Sequence, residues 1–277
     1  MILNGKELSK KIEEELRKKV DVLKKKSGKN ATLATIIVGD NPSSKTYVKM
    51  KGNACERIGI NSLKVELEES ITTYQLLEVI KKLNNDENVD GILLQHPVPK
   101  HIDERVCFNA INPKKDVDGV TSAGFGAMTM GEDAYVSATP LGIMKILEYY
   151  SVDLEGKEVV VIGRSAILGK PIAMMLLNKN ATVTIAHSKT KNLEQVVKRA
   201  DIVVACVGKP KFVKKEWLKE NVVIIDAGYN EGNVGDVDLE NAKDIACAYT
   251  PVPGGVGPMT IVSLLSQTVS SFERRVN

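Results

Sequence analysis

The sequence has few of the features that mark nucleic-acid-binding proteins. Aromatic residues make up only 4% of its 277 residues, with a single tryptophan, Trp217. A stacking platform for single-stranded nucleic acid is therefore not expected. The formal net charge is only +3, whereas nucleic-acid binding usually needs a concentrated basic face. We predict no nucleic-acid partner.

Long apolar runs and clustered cysteines are also missing. Runs such as 159–162 and 222–225 are far too short to cross a bilayer, and the first ten residues lack the apolar core of a signal peptide. The cysteines form no CxxC pair, which argues against a zinc site or a secreted disulfide framework. They are Cys55, Cys107, Cys206 and Cys247. These absences predict a cytoplasmic protein with reduced thiols and no membrane contact.

What the sequence does contain is an alternation of strands and helices. Its length corresponds to about two domains. Apolar stretches bounded by turn residues predict strands at 31–38, 62–67, 91–95, 158–162, 181–186, 201–207, 222–226 and 245–249. Helical patterns lie between them, which predicts an α/β fold with parallel sheets, the second a Rossmann-type doubly wound sheet. We interpret 112–139 as a linker that lines a cleft, and 250–258 as an irregular loop before a helix at 260–272.

A glycine-bounded loop, GRSAILGKP at 163–171, follows a strand and opens a helix. Free N–H groups and the helix dipole attract an anion in that position. We predict that Gly163, Arg164, Ser165 and Gly169 bind a dinucleotide phosphate. The spacing is not GxGxxG, so an ordinary strand–helix turn is the alternative.

The end of the next strand indicates which dinucleotide is bound. NAD sites usually place an Asp or Glu there for the ribose 2′-hydroxyl. This strand instead runs into HSKT at 187–190. Ser188, Lys189 and Arg164 could donate to a 2′-phosphate, so NADP is predicted over NAD. In the alternative, Lys189 is only a solvated loop lysine.

Residues that could carry chemistry follow the first three predicted strands. Tyr47 and Lys51 are four apart on one helix and share a face. Gln95 ends the third strand, at the edge where parallel sheets bind ligands. Asp116 and Asp118 follow the next helix; they could hold a metal, but no His or Cys cluster accompanies them, and we predict none. A YxxxK pair is typical of short-chain dehydrogenases, but there it follows the nucleotide-binding glycines.

Taken in order, these segments resemble the bifunctional methylenetetrahydrofolate dehydrogenase/methenyltetrahydrofolate cyclohydrolase family. The matching stretches are VGDNPSS at 38–44, YVKMK at 47–51, GILLQ at 91–95, KDVDG at 115–119, GRSAILGKP at 163–171, HSKT at 187–190 and TPVPGGVGPMT at 250–260. The resemblance implies NADP-dependent oxidation of 5,10-methylenetetrahydrofolate and hydrolysis of the product to 10-formyltetrahydrofolate. It places the protein in one-carbon metabolism and purine biosynthesis, with tetrahydrofolate derivatives as substrates.

The resemblance also implies an architecture. A folate-binding catalytic domain would comprise 1–119 and 260–277, because the C-terminal helix returns to it. An NADP-binding domain would comprise 120–259. A cleft would separate the two, and the enzyme would form a homodimer.

Residue roles follow from the same resemblance. Lys51 is the expected catalytic lysine, with Gln95 supporting it and Tyr47 packing beside the folate. Asp118 is expected to bind the pterin. Backbone at Gly254, Gly255 and Pro258 is expected to contact the substrate.

The hydrolytic step makes a demand on Lys51. To accept a proton from water it must be neutral, so its pKa must fall from about 10.4 by about 3 units, or ~4 kcal/mol. Burial and a cationic substrate both act in that direction.

The sequence departs from the family pattern at three places. His96 replaces a residue that is commonly apolar, and Ala138 and Tyr229 are also unusual. His96 could relay a proton or could simply pack or face solvent. The rival functions are a dehydrogenase without cyclohydrolase activity and a non-catalytic folate- or nucleotide-binding protein. Retention of Lys51, Tyr47 and Gln95 argues against both.

Overall fold

The computed structural model describes all 277 residues, which form two compact α/β units. One, the three-stranded unit, comprises Lys11–Ala138 and Ile261–Asn277. The other, the five-stranded unit, comprises Met1–Lys10 and Thr139–Thr260. Every strand pair in both sheets is parallel, so the predicted fold class is confirmed. No helix combines the length and the apolar character that a bilayer span requires.

The three-stranded unit has the strand order β2-β1-β3. Its elements are most of α1 (Gly5–Ser27), then β1 (Thr32–Val38), α2 (Pro42–Ile58), β2 (Asn61–Leu67), α3 (Thr73–Asn85), β3 (Gly91–Leu94), α4 (Glu104–Asn109), α5 (Ser122–Thr129) and most of α10 (Val256–Val276). The central strand β1 is buried along its whole length, as expected for a parallel strand covered on both faces. Strand β2 lies at the edge and is largely exposed.

The five-stranded unit has the strand order β5-β4-β6-β7-β8. Its elements are α6 (Ala138–Tyr149, of which Ala138 belongs to the other unit), β4 (Glu158–Ile162), α7 (Gly169–Leu177), β5 (Thr182–Ala186), α8 (Leu193–Lys198), β6 (Ile202–Ala205), a 3₁₀ turn (Lys215–Trp217), β7 (Val222–Asp226), α9 (Leu239–Ala242) and β8 (Ala246–Tyr249). Branched aliphatic residues fill the strands and form the core, among them Val160, Val203 and Ile224.

Two stretches interpreted as irregular prove to be helical. Within 112–139, α5 begins after Thr121, whose hydroxyl accepts the N–H of Gly124 at 3.0 Å. Helix α10 begins at Val256 rather than at 260. Pro258 then lies in the first turn, where its missing N–H breaks no helical hydrogen bond.

The two units differ from the predicted domain boundaries in two places. Residues 120–138 belong to the three-stranded unit, because Gln267 on α10 donates to the carbonyls of Val117 and Val136 at 2.7 and 2.8 Å. Residues 1–10 belong to the five-stranded unit, because Leu3 N–H donates to Tyr249 O at 2.8 Å and extends that sheet's edge.

Candidate active site

Lys51 reaches its position through a sharply capped helix. Asn41 accepts the N–H of Ser44 at 3.1 Å and caps α2, with Pro42 in the first turn. Lys51 lies two and a half turns further along and is 9% exposed. Burial lowers the pKa of Lys51, against an opposing pull from the charge of Asp118. This is the direction that a lysine acting as a base requires.

Gln95 and Lys51 are in direct contact. The Lys51 Nζ donates to Gln95 Oε1 at 2.9 Å, in a buried contact between α2 and the end of β3. The other end of the Gln95 amide, Nε2, donates to the carbonyl of His96 at 2.7 Å. Both hydrogen-bonding ends of this amide are therefore occupied inside the protein.

Asp118 is brought to the same edge by the segment after α4. The N–H of Ile92 donates to Lys115 O at 2.8 Å, which aligns this segment beside β3. Gly119 then turns with φ +65°, and a Cβ there would lie 2.0 Å from the backbone of Val136. The turn is thus restricted to glycine.

The two aspartates of this segment differ. Asp116 is buried and accepts the N–H groups of Val120 and Thr121 at 3.0 and 2.9 Å. Asp118 is half-buried, and its carboxylate has no hydrogen bond within the chain. Burial raises the pKa of Asp118 to about 6, although Lys51 and His96 pull it down. A carboxylate in this state has acceptor sites for a ligand that carries N–H donors.

Tyr47 is one turn before Lys51 on α2 and is 40% exposed. Its ring is therefore accessible beside the lysine. Sequence reasoning about His96 did not identify its partner: Nδ1 lies 2.7 Å from Oε1 of Glu104 in α4. No sequence pattern predicts a contact between a histidine and a glutamate that are eight residues apart and separated by a turn with proline.

The residues predicted to bind the dinucleotide lie at the carboxyl edge of the five-stranded sheet. Gly163 N–H donates to Ala186 O at 2.9 Å, so the loops that follow β4 and β5 are neighbours. Arg164 and Ser165 in one loop and Ser188 and Lys189 in the other are all exposed. No acidic residue occurs between 187 and 191. This arrangement favours an anion at that edge.

The glycines at both ends of the 163–171 loop allow backbone segments to pack closely against one another. A Cβ on Gly163 would lie 2.5 Å from Cys206 O, and one on Gly169 would lie 2.5 Å from Gly163. The hydroxyl of Ser165 accepts the N–H of Gly169 at 3.2 Å. The N–H groups of Arg164 and Ser165 donate to no group of the chain. These free donors, in the loop that leads into α7, fit a bound phosphate.

The remaining predicted substrate residues, Gly254, Gly255 and Pro258, belong to the five-stranded unit. Gly254 has φ +104°, and the Gly255 backbone lies so close to Pro251 that a Cβ would be 2.5 Å from its carbonyl oxygen. The Gly254 carbonyl accepts the N–H of Lys6 at 2.8 Å.

A buried lysine paired with a glutamine, and a glycine loop suited to a dinucleotide phosphate, define a cofactor-dependent α/β enzyme with a candidate base. Family profiles identify it further. Residues 3–118 match the catalytic domain, and residues 137–276 the NAD(P)-binding domain, of the tetrahydrofolate dehydrogenase/cyclohydrolase family. The chain belongs to this family.

Individual relatives agree over the whole length. The chain is 62% identical to the bifunctional protein FolD of Saccharophagus degradans, covering 100% of this chain and 99% of the relative. The FolD structure from Campylobacter jejuni is 46% identical, with a TM-score of 0.97 over 99% of both chains. The Trypanosoma brucei FolD, solved with NADP and an inhibitor, is 34% identical, with a TM-score of 0.96 over 100% of this chain and 98% of that one. The predicted family, bifunctional enzyme class and dinucleotide cofactor are confirmed.

Proposed function

We propose that Lys51, Gln95 and Asp118 carry the folate chemistry of this enzyme: NADP-dependent oxidation of 5,10-methylenetetrahydrofolate and hydrolysis of the methenyl product. The observation that carries the proposal is the buried Lys51–Gln95 pair beside Asp118, whose carboxylate is unbonded.

Asp118 orients the substrate. The reduced pterin edge has a ring N–H and an amino group side by side, and a carboxylate can accept from both at once. Such a bidentate contact fixes the position of the methylene bridge. Tyr47, accessible one turn from Lys51, packs beside the folate.

The oxidative step depends mainly on placement. A bound nicotinamide accepts the hydride from the methylene carbon, and the two flanking nitrogens of the folate stabilise the cation that remains. The protein therefore has to align the reactants rather than move a proton.

The hydrolytic step needs a base. Water adds to the methenyl carbon, and neutral Lys51 takes the proton that water loses. The bond between this carbon and N5 then breaks, N5 takes up a proton as the hydroxyl loses its own, and 10-formyltetrahydrofolate remains with one proton released overall. Gln95 accepts one N–H of the amine, which leaves the nitrogen lone pair directed away from the glutamine. Burial lowers the pKa of Lys51 and so increases the neutral fraction at a given pH.

The five-stranded unit binds NADP rather than NAD. Backbone N–H groups at Arg164 and Ser165 receive the pyrophosphate. Ser188, Lys189 and the Arg164 side chain donate to the 2′-phosphate, and no carboxylate at the end of β5 repels it. Gly254, Gly255 and Pro258 offer backbone to the substrate.

Two further features predicted from the sequence remain proposals: a homodimer and a cytoplasmic location. Light scattering on the purified enzyme checks the first, since a homodimer of this 30.2 kDa chain has twice its mass. Fractionation of the native host checks the second.

One assay tests the main proposal. Methylenetetrahydrofolate is supplied with NADP or NAD separately, and the reduced cofactor and the methenyl and formyl products are followed. We expect turnover with NADP and accumulation of 10-formyltetrahydrofolate. A product that stops at methenyltetrahydrofolate, apart from its spontaneous hydrolysis, would contradict the hydrolytic role, and a strong preference for NAD would contradict the role of Lys189.

A further inference from the structure

Gln95 can support Lys51 only in one of its two amide orientations. The oxygen must face Lys51 Nζ, because the NH₂ end would put one donor against another. The group that selects this orientation is the carbonyl of His96, which accepts from Gln95 Nε2 at 2.7 Å. The position of that carbonyl therefore controls the lysine indirectly.

A second contact anchors the turn that carries this carbonyl. Glu104 Oε1 receives both His96 Nδ1 at 2.7 Å and the N–H of Val98 at 3.2 Å. Glu104 is in the first turn of α4. The preceding Asp103 caps α4 by accepting the N–H of Val106 at 3.0 Å, and its own N–H donates to Thr73 Oγ1 at 3.0 Å. The turn at 96–98 is thus tied to a fixed helix.

The charges strengthen this contact. The hydrogen bond to Glu104 raises the pKa of His96, against a smaller effect of burial. Burial opposes ionisation of Glu104, but the hydrogen bond and charge of His96, the Val98 N–H and the charge of Arg105 together lower its pKa. The charge of Asp118 also favours the imidazolium. Hydrogen bonds between ionised groups are stronger than neutral ones.

We propose that the His96–Glu104 pair is a positioning device for Lys51. It holds the His96 carbonyl, which orients the Gln95 amide, which in turn directs the lysine lone pair during hydrolysis. The inference rests on the proposed role of Lys51 as the hydrolytic base. It assigns His96 a function without proton relay, since the imidazole acts through Gln95 and not on the substrate.

The test removes the pair at its glutamate. Glu104→Ala is expected to lower kcat for methenyl hydrolysis about tenfold, with KM within twofold of wild type and the dehydrogenase kcat within twofold. Glu104→Gln is expected to recover most of the loss, because its amide oxygen still accepts from Val98 and from a neutral His96. His96→Leu, which keeps the backbone carbonyl but loses the contact, is expected to lower hydrolysis three- to fivefold.

Glu13→Ala is the matched control. Glu13 is in the same unit, its side chain has 19% exposure against 27% for Glu104, and it pairs with Arg57 at 2.6 Å. It does not contact Gln95 or His96. We expect both of its activities to equal wild type.

The outcomes separate this inference from the proposed function. A parallel fall of both activities in Glu104→Ala and His96→Leu, or unchanged hydrolysis in both, would overturn the inference while leaving Lys51 as the base. Wild-type hydrolysis by Lys51→Met would overturn the base assignment and the inference with it. Thermal midpoints of all variants exclude misfolding as the cause of a loss.

Discussion

In the five-stranded unit the carboxylates of Asp226 and Asp236 each accept three backbone N–H groups, whereas in the three-stranded unit the Asp116 carboxylate accepts two. Asp226 accepts from Gly228, Asp236 and Val237, each at 2.9 Å. Asp236 accepts from the N–H groups of residues 207–209 at 2.6 to 2.9 Å and from Asn230 at 3.1 Å. Asp118 has no such donor.

The difference distinguishes carboxylates that stabilise loops from side chains that we propose to act on the substrate. In the five-stranded unit buried charge shapes loops, and the groups left free for a ligand are backbone N–H groups. In the three-stranded unit the Asp118 carboxylate has no hydrogen bond and Lys51 donates to Gln95, and burial has shifted the pKa values of the two groups in opposite senses. Shifted pKa values are typical of catalytic groups, but they occur in both units: burial also raises the pKa of Asp226 in the five-stranded unit to about 6, and there the carboxylate accepts three backbone N–H groups.

The largest effect is expected at Lys51. Lys51→Met keeps the apolar stem and removes the amine, so cyclohydrolase turnover should fall at least 1000-fold while folate binding is retained. Initial rates of methenyl hydrolysis and a folate-binding titration check this. Lys49→Met, on the exposed side of the same helix, is the control. Wild-type rates of hydrolysis in Lys51→Met would show that this side chain of the three-stranded unit is not the base.

Asp236→Asn tests whether the buried carboxylates of the five-stranded unit stabilise its loops. The amide NH₂ would face N–H donors, so the free energy of unfolding should fall by about 3 kcal/mol, which lowers the thermal midpoint by about 5 °C. Calorimetry measures this. Asp244→Asn, which removes the charge from an exposed ion pair with Lys215, should cost under about 0.5 kcal/mol. Similar losses in the two variants would refute a scaffolding role for Asp236.

Asp118→Asn should lower kcat/KM for methylenetetrahydrofolate about 30-fold, because a carboxylate that accepts two N–H groups is lost. In the wild type, activity should fall as pH drops through about 6, since protonation removes the acceptor. The variant should lack this acidic limb. Profiles of kcat/KM from pH 5 to 8 measure this, with Asp133→Asn, at an exposed position, as the reference variant. If Asp118→Asn kept the acidic limb, another group would have to cause it.

The same raised pKa has a consequence for stability. The carboxyl of Asp118 has an ordinary value of 3.8 in the unfolded chain and about 6 in the folded one. The folded state therefore retains a proton that the unfolded state releases. Its contribution to stability falls as pH rises from about 4 to about 6.

The smallest effect is expected at the cofactor. Lys189→Ala should raise KM for NADP about tenfold and leave KM for NAD unchanged, because only NADP carries the 2′-phosphate. Lys191→Ala, two residues further on, is the control. Equal changes in KM for NADP and for NAD would show that Lys189 does not bind the 2′-phosphate.

The sequence was most informative where structure is periodic or where a motif is local. Strands such as β1 and β4 were predictable because unbroken runs of branched residues suit buried parallel strands. Helix α5 was not, since Gly124 and Gly126 lower helix propensity and it has no apolar stripe. Its start depends on a cap at Thr121 that one sequence does not distinguish from a turn.

The site was predictable to the same degree. Gln95 ends a strand and Lys51 lies on the helix that follows another, and parallel pairing brings the carboxyl ends of those strands to one edge; the resemblance to the family added Asp118. The His96–Glu104 contact, the occupied carboxylate of Asp116 and the network of Asp236 depend on how loops fold over one another. No spacing rule encodes those contacts.

Helix α10 determines when the protein can fold during synthesis. Its residues 261–277 complete the three-stranded unit: Gln267 holds the backbone at Val117 and Val136, and Arg275 pairs with the buried Asp90 at 2.6 Å. Residues 139–260 are translated between these partners. On the ribosome, the three-stranded unit therefore cannot complete its core until residues 139–260 of the five-stranded unit have been synthesised. No cut of the chain at a single point yields the three-stranded unit intact.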